Sequence, residues 1–325
     1  MRENELLSVE DLEVKFFLRK STVEAVNGVS FKLDRGERLG IVGETGAGKT
    51  TTALSILGLV PEPPGKITKG KITLNGENLL DKSEKAMQKI RGNDISMIFQ
   101  DPMTSLNPVM PVGDQIMEVI RLHEKLSRAD AVKRSQEMLE LVGIPGDRYD
   151  EYPHQFSGGM KQRVLIAIGL ACSPKLLIAD EPTSALDVTI QAQVLELINE
   201  LKDKMGMSLL LITHDLGVVS ETCDRVLVMY AGTVVESGSV REVYKNMLHP
   251  YTIGLFNSLP KLEVEEDRLE PIKGMMPDPT NLPEGCAFCK RCPRAAEQCL
   301  KERPTMVQVG EDHYVACFHA ANRED

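Results

Sequence analysis

Apolar and polar residues alternate over residues 6–17 (Leu12, Val14, Phe16) and 23–33 (Val29, Phe31, Leu33). A two-residue period of this kind predicts half-buried strands. Arg38-Leu-Gly-Ile-Val42 then reads as a short buried strand entering a glycine-rich loop, and from Lys49 to Leu59 the apolar spacing turns helical. Further strands are predicted at 71–75, 95–99, 176–180, 209–213 and 225–230. Ile190, Val194, Ile198, Leu201 and Met205 recur near one face of a helix over 188–205. Strands alternating with helices predict an α/β fold with a mainly parallel core sheet. Residues from about 103 to 170 read as a mostly helical insert. Beyond Tyr251, Pro260, Pro271, Pro277, Pro279 and Pro283 punctuate a loop-rich tail. The expected division is therefore a domain over 1–258 and an extension over 259–325, with no internal repeat.

Composition narrows the function. A length of 325 residues fits two domains. With 38 Lys+Arg against 48 Asp+Glu, the net charge of -10 argues against a nucleic-acid partner, which would want a basic face. The longest apolar run, Val164 to Cys172, falls well short of the roughly 20 residues of a membrane span. The start, MRENELLSVE, carries charge where an export signal would carry its apolar core, so export is not expected. Of the 7 cysteines, Cys286, Cys289, Cys292, Cys299 and Cys317 crowd into the tail. In a chain that is not exported, such crowding reads as metal or cluster ligands before disulfides. Cys172 and Cys223 lie in apolar or helical settings and read as buried and inert.

Gly43-Glu-Thr-Gly-Ala-Gly-Lys-Thr50 matches the G-x-x-x-x-G-K-[ST] phosphate loop and sits after a strand and before a helix, where that motif must sit. Its glycines (Gly43, Gly46, Gly48), with Thr45 and Ala47 between them, let backbone N–H groups turn toward phosphate oxygens, and the helix N-terminus adds a positive dipole end. Lys49 would reach the β- and γ-phosphates, Thr50 would meet Mg²⁺, and Thr51 could donate to the α-phosphate.

Leu176-Leu-Ile-Ala-Asp180-Glu181 is an apolar strand ending in two acids. Asp180 can hold a Mg²⁺ water shell, and Glu181 can polarise an attacking water as general base. Leu209-Leu-Leu-Ile-Thr-His214 is a second such strand, whose His214 could hydrogen-bond a γ-phosphate. Ser157-Gly-Gly-Met-Lys-Gln162 opens a helix with an N-cap and exposed N–H groups suited to an anion. A second anion surface beside one phosphate loop points to a nucleotide shared with a neighbouring subunit.

The ordered set of phosphate loop, Gln100, Ser157-Gly-Gly, Asp180-Glu181, Ser184-Ala-Leu-Asp187 and His214 resembles the ATP-binding cassette (ABC) ATPases. Phe99-Gln-Asp-Pro-Met-Thr-Ser-Leu-Asn-Pro108, Leu186-Asp-Val-Thr-Ile-Gln-Ala-Gln-Val194 and His249-Pro-Tyr-Thr252 resemble the branch serving oligopeptide, dipeptide and nickel importers. The resemblance implies a P-loop ATPase of the α/β class with a parallel core sheet, an antiparallel β subdomain, a helical subdomain and a small Cys-rich C-terminal extension. It further implies that two ATPase subunits close head to tail on ATP, with Ser157, Gly158 and Gly159 acting in trans and Asp187 bridging the pair. Gln100 would touch Mg²⁺ and sense the γ-phosphate, and the loop after it would face a membrane subunit. Phe16 would stack on adenine, with Phe17 as its neighbour; the alternative is that both rings belong to the core.

The function implied is an ATP-hydrolysing subunit powering import of dipeptides or oligopeptides, peripheral on the cytoplasmic face of the inner membrane. Its partners would be a homologous second ATPase subunit, two transmembrane permease subunits and, indirectly, an extracytoplasmic substrate-binding protein. A nickel importer is the alternative, and a soluble ABC ATPase with a redox-sensing cluster a more distant one.

The tail spacing Cys286-x₂-Cys289-x₂-Cys292-x₆-Cys299-x₁₇-Cys317, with Pro293, fits a [4Fe–4S] cluster. Zinc remains an alternative, although the two separated close pairs of a typical four-Cys zinc site are absent; free thiols or a disulfide are the third reading. The resemblance singles out Cys286, Cys292, Cys299 and Cys317 as ligands, leaving Cys289 as an extra thiol or alternative ligand. In a small tail with little core of its own, a metal staple is the simpler purpose.

Overall fold

The structure is a computed structural model and describes residues 4–100, 102–184, 186–258 and 272–320, without the side chains of Pro102 and Met103. Pro260 and Pro271 lie outside the described residues. The first half of the chain runs β1 (Glu5–Phe17), β2 (Thr22–Asp34), β3 (Arg38–Val42), α1 (Lys49–Ile56), β4 (Gly65–Leu74), β5 (Glu77–Asn78), α2 (Glu84–Ile90), β6 (Ile95–Ile98), α3 (Pro102–Ser105), α4 (Val112–His123), α5 (Arg128–Leu141) and α6 (Gly158–Leu170). The second half continues with β7 (Leu176–Asp180), α7 (Val188–Met205), β8 (Ser208–Thr213), α8 (Leu216–Thr222), β9 (Arg225–Tyr230), β10 (Thr233–Ser239), α9 (Val240–Lys245), α10 (Pro250–Asn257), α11 (Glu297–Lys301), β11 (Val307–Gly310) and β12 (His313–Val315). Two compact units emerge.

The first unit is Met1–Leu6, Leu33–Arg38 and Asn78–Ile212. Strands β6, β7 and β8 run parallel, with Ile95 opposite Leu176 and Leu176 opposite Ser208. Every residue of β7 and β8 is buried, which explains why these strands read as continuous apolar runs rather than alternations. Helices α3 to α6 follow one another from Pro102 to Leu170. Their core depends on close approach: a Cβ on Gly113 of α4 would lie 2.0 Å from the Tyr149 ring. The Tyr149 hydroxyl donates to Asp114 at 2.6 Å.

The second unit is Leu7–Lys32, Leu39–Glu77 and Thr213–Asp325. β4 pairs antiparallel with β1, and β2 flanks β1 on the other side. β3 pairs parallel with β9. From β9 onward the pairing is antiparallel, through β10 and β12 to β11. The β6–β7–β8 and β3–β9 pairings are parallel, as expected of a mainly parallel core sheet, while β10, β12 and β11 extend β9 with antiparallel pairing and β1 and β4 belong to a separate antiparallel sheet. The tail is also more regular than its prolines suggest, since the β11–β12 hairpin extends β10. These strands are short and carry polar residues, so they leave little periodic signal. One polar residue is structural: fully buried Glu236 of β10 pairs with His313 of β12 at 2.8 Å and accepts N–H bonds from Leu248 and His249.

Candidate functional site

The phosphate loop joins β3 to α1. Backbone approach, not side-chain chemistry, dictates its glycines. A Cβ on Gly43 would fall 2.2 Å from the Met229 carbonyl oxygen, and one on Gly48, at φ +98°, 2.5 Å from that of Ala25. Gly232 N–H bonds the Ala47 carbonyl at 3.0 Å, fastening the loop from the β9–β10 turn. Buried Lys49 donates its ammonium to the carbonyls of Gly43 (2.7 Å) and Glu44 (3.2 Å), so its charge is held at the mouth of the loop. Thr45, Gly46 and Thr50 are exposed, as a cradle for a soluble ligand requires. The residue types and curvature fit a nucleotide triphosphate.

At the end of β7, Asp180 is buried and Glu181 follows it at φ +46°. A left-handed conformation at a non-glycine residue costs on the order of 1–3 kcal/mol and concentrates at functional positions. Here the Glu181 N–H bonds Ile212 O at 2.8 Å, and the carboxylate accepts from Gln100 Nε2 (2.9 Å) and Ser184 Oγ (2.7 Å). Gln100 and Glu181, far apart in sequence, are therefore brought together.

Ser157 caps α6, its hydroxyl accepting from Met160 N–H at 3.4 Å, and both Ser157 and Gly158 are exposed. A Cβ on Gly159 would meet Ile190 Cγ2 at 2.6 Å, so this glycine lets α6 and α7 approach. Asp187 is exposed and caps α7 through Ile190 N–H at 3.1 Å. Sequence reasoning missed two glutamines that fix the loops around these residues. Gln115 accepts from Asn107 N–H and donates to the carbonyls of Asn107 and Met110. Gln191 donates to the carbonyls of Thr183 and Leu186. Gln115 lies in no motif and Gln191 lies within the Leu186–Val194 motif, but neither role was legible, because the partners are backbone groups.

In the second unit, His214 is exposed just past β8, ahead of the Asp215 cap of α8. Phe16, next to last in β1, is half-buried against Gly65, where an added Cβ would lie 2.8 Å from its ring, whereas Phe17 at the strand's end is 51% exposed.

Cys286, Cys289, Cys292, Cys299 and Cys317 all line one small cavity, together with His249, Phe288 and His319. Buried His319 Nε2 has no hydrogen-bond partner among the described residues. Burial holds the Cys286 thiol up to about 11 and also raises Cys292 and Cys317, with neighbouring thiols adding to the effect. Among the described residues, however, no group of three or more His, Cys, Asp or Glu side chains forms a metal-binding arrangement. The expected four-thiolate ligand set is thus gathered but not assembled. Outside the tail, Cys223 is buried as expected, whereas Cys172 is only half-buried, its thiol raised to about 11 by burial.

Among the described residues no helix is long and apolar enough to cross a membrane. Residues 26–184 match the ABC transporter family, and residues 235–299 match the oligopeptide/dipeptide transporter C-terminal region. The oligopeptide transport ATP-binding protein AppD of Bacillus subtilis (strain 168) is 51% identical over 315 residues, 96% of each chain. Its counterpart OppD of Escherichia coli (strain K12) is 50% identical over 96% of this chain and 93% of its own. A dimeric, post-hydrolysis structure of the ATP-binding cassette MJ0796, bound to ADP and Pi, superposes with TM-score 0.65 at 25% identity, covering 73% of this chain and 99% of that one. The cbiO1 subunit of the Clostridium perfringens transporter complex cbiONQ does so with TM-score 0.65 at 31% identity, covering 75% and 92%. The chain belongs to the ABC transporter family as an ATP-hydrolysing ATPase, among the ATP-binding proteins of oligopeptide and dipeptide transport.

Proposed function

We propose that this ATPase drives import of dipeptides or oligopeptides from the cytoplasmic face of the membrane, through permease subunits that it does not contain. The observation that carries the reading is the Gln100–Glu181–Ser184 constellation at the end of β7, in a chain half identical to peptide-transport ATPases along nearly its whole length. Lys49 and the loop amides of Gly43 to Thr51 bind the phosphates. Thr50, Gln100 and Asp180 would hold Mg²⁺, which neutralises charge developing on the β- and γ-oxygens. Glu181 takes the proton of the attacking water, its carboxylate aimed by two hydrogen bonds, and His214 steadies the γ-phosphate. Phe16 stacks on adenine. Ser157, Gly158 and Gly159 offer the exposed end of α6 to the nucleotide of a homologous second subunit, and Asp187 bridges the pair. Loss of the γ-phosphate then removes the bridge, and the loop after Gln100 passes the motion to the permease.

Residues 259–325 form an extension whose thiols are suited to a [4Fe–4S] cluster held by Cys286, Cys292, Cys299 and Cys317, with Cys289 in reserve. The converging thiols and the orphaned His319 nitrogen support this reading. Held by these residues, a cluster would supply a structural staple. Protein purified anaerobically is expected to be brown and to contain iron and acid-labile sulfide; colourless protein with stoichiometric zinc would refute it. The transport reading is tested by isolating the assembled complex and identifying the ligand of its binding protein. Bound peptide supports it, and bound nickel overturns it.

A further inference from the structure

A carboxylate inside a phosphate loop is an electrostatic problem. Glu44 follows the first glycine, and its negative charge would repel a bound triphosphate. The answer comes from the tail. Arg291, between Cys289 and Cys292, places its guanidinium 2.9 Å from Glu44 Oε2. The Arg291 side chain is only 6% exposed, against 30% for Glu44. A guanidinium stays charged at every physiological pH, so a buried one needs its donors occupied. Here Nη1 also donates to Tyr230 Oη at 3.3 Å, Nε to Lys273 O at 3.1 Å and Nη2 to Ile272 O at 3.4 Å. The fork is locked.

The surroundings fix the same loop independently. The Glu44 N–H donates to Tyr251 Oη at 2.9 Å. Tyr230, Tyr251 and Phe288 form an aromatic triad with centroids 4.6 to 5.5 Å apart, and Phe288 itself lies between Cys286 and Cys289. A Cβ on Gly46 would stand 3.0 Å from Met276 Cε, so a tail methionine rests on the loop as well.

We propose that Arg291 is a positioning residue for ATP: supplied by the Cys-bearing tail, it neutralises Glu44 and holds the phosphate loop in its binding shape. The tail is then part of the nucleotide site. Its turns are held by Cys289 N–H to Cys286 O at 3.0 Å and Arg291 N–H to Phe288 O at 2.9 Å, and unravelling them would draw Arg291 off Glu44 and weaken ATP binding.

The inference rests on reading residues 43–50 as the phosphate loop, so Lys49→Ala is measured in parallel. With the full-length chain, MgATP affinity by titration and the KM and kcat of ATP hydrolysis are compared among variants. Arg291→Met is expected to raise both Kd and KM about tenfold while kcat falls by a smaller factor. Adding Glu44→Gln to it should return KM to within about threefold of the wild type, because the uncompensated carboxylate is gone. Arg291→Lys, which keeps the charge but not the fork, should raise KM about threefold and serves alone if the methionine variant does not fold. Wild-type KM in both variants, or a double variant as weak as Arg291→Met, overturns the proposal. A proportional fall in kcat with unchanged KM also overturns it, by marking a merely structural role. If Lys49→Ala itself leaves MgATP binding intact, the phosphate-loop reading has failed instead.

Discussion

The end of β7 and the cysteine-bearing tail solve opposite problems. At β7, a strand buried along its whole length stops abruptly, and the next side chain, Glu181, is aimed by two hydrogen bonds, one from Gln100, 81 residues away, and one from nearby Ser184. Chemistry there sits on a rigid element whose core is independent of it. In the tail the functional residues are themselves the core: Phe288, Cys289 and Cys299 are buried, and among the described residues regular structure amounts to one short helix and a hairpin. A change at the strand end should therefore alter rate without altering stability, whereas a change in the tail core should lower stability and, where it moves Arg291, weaken nucleotide binding.

The sharpest test is Glu181→Gln. It removes the proton acceptor but keeps the shape and the hydrogen-bonding oxygen. Turnover is expected to fall by about 10²–10⁴, the usual worth of general-base catalysis, while MgATP still binds and the melting temperature barely moves. Phosphate release and nucleotide titration decide it. Wild-type-like turnover would remove Glu181 from its role.

Next in size, Phe288→Ala should cost about 3–5 kcal/mol, the usual loss for emptying a buried aromatic site. Denaturant unfolding measures that loss, and hydrogen exchange should place the new opening at residues 272–320. An unchanged unfolding midpoint would mean that the tail is not organised around its aromatics. Gly113→Ala offers a control within α4. The new methyl collides with the Tyr149 ring, and overpacking of this kind costs about 1–3 kcal/mol, read in the same denaturation experiment. The smallest effect belongs to Gln191→Ala. It deprives two carbonyls of their donor, for a loss of about 1–2 kcal/mol, and should speed amide exchange at residues 183–186.

The same contrast explains what the sequence disclosed. β7, β9 and α7 are found at their predicted bounds, because buried apolar runs and a long amphipathic face are strong local signals. Gly43 to Thr50 was legible because backbone crowding leaves little freedom at Gly43 and Gly48. Much of the rest is set by contacts that spacing does not encode. β4 begins at Gly65, well before the predicted 71, because its exposed polar start is held by backbone pairing with β1 rather than by burial. Glu236 in β10 looks like a surface residue until His313 arrives from 77 positions away. Arg291 belongs to the Cys-bearing tail pattern Gly285-Cys-x-Phe-x-x-Arg-Cys-Pro293, but its role was not legible, since its carboxylate partner lies 247 residues earlier.

Gln191 belongs to α7 yet grips both ends of the segment from Thr183 to Leu186 with a single amide. Because that grip spans the turn between Glu181 and the Asp187 cap, the segment is splinted to the helix rather than hinged beside it. Rotation of α7 would be transmitted to the residues flanking Glu181 with little slack, much as a crank carries its pin.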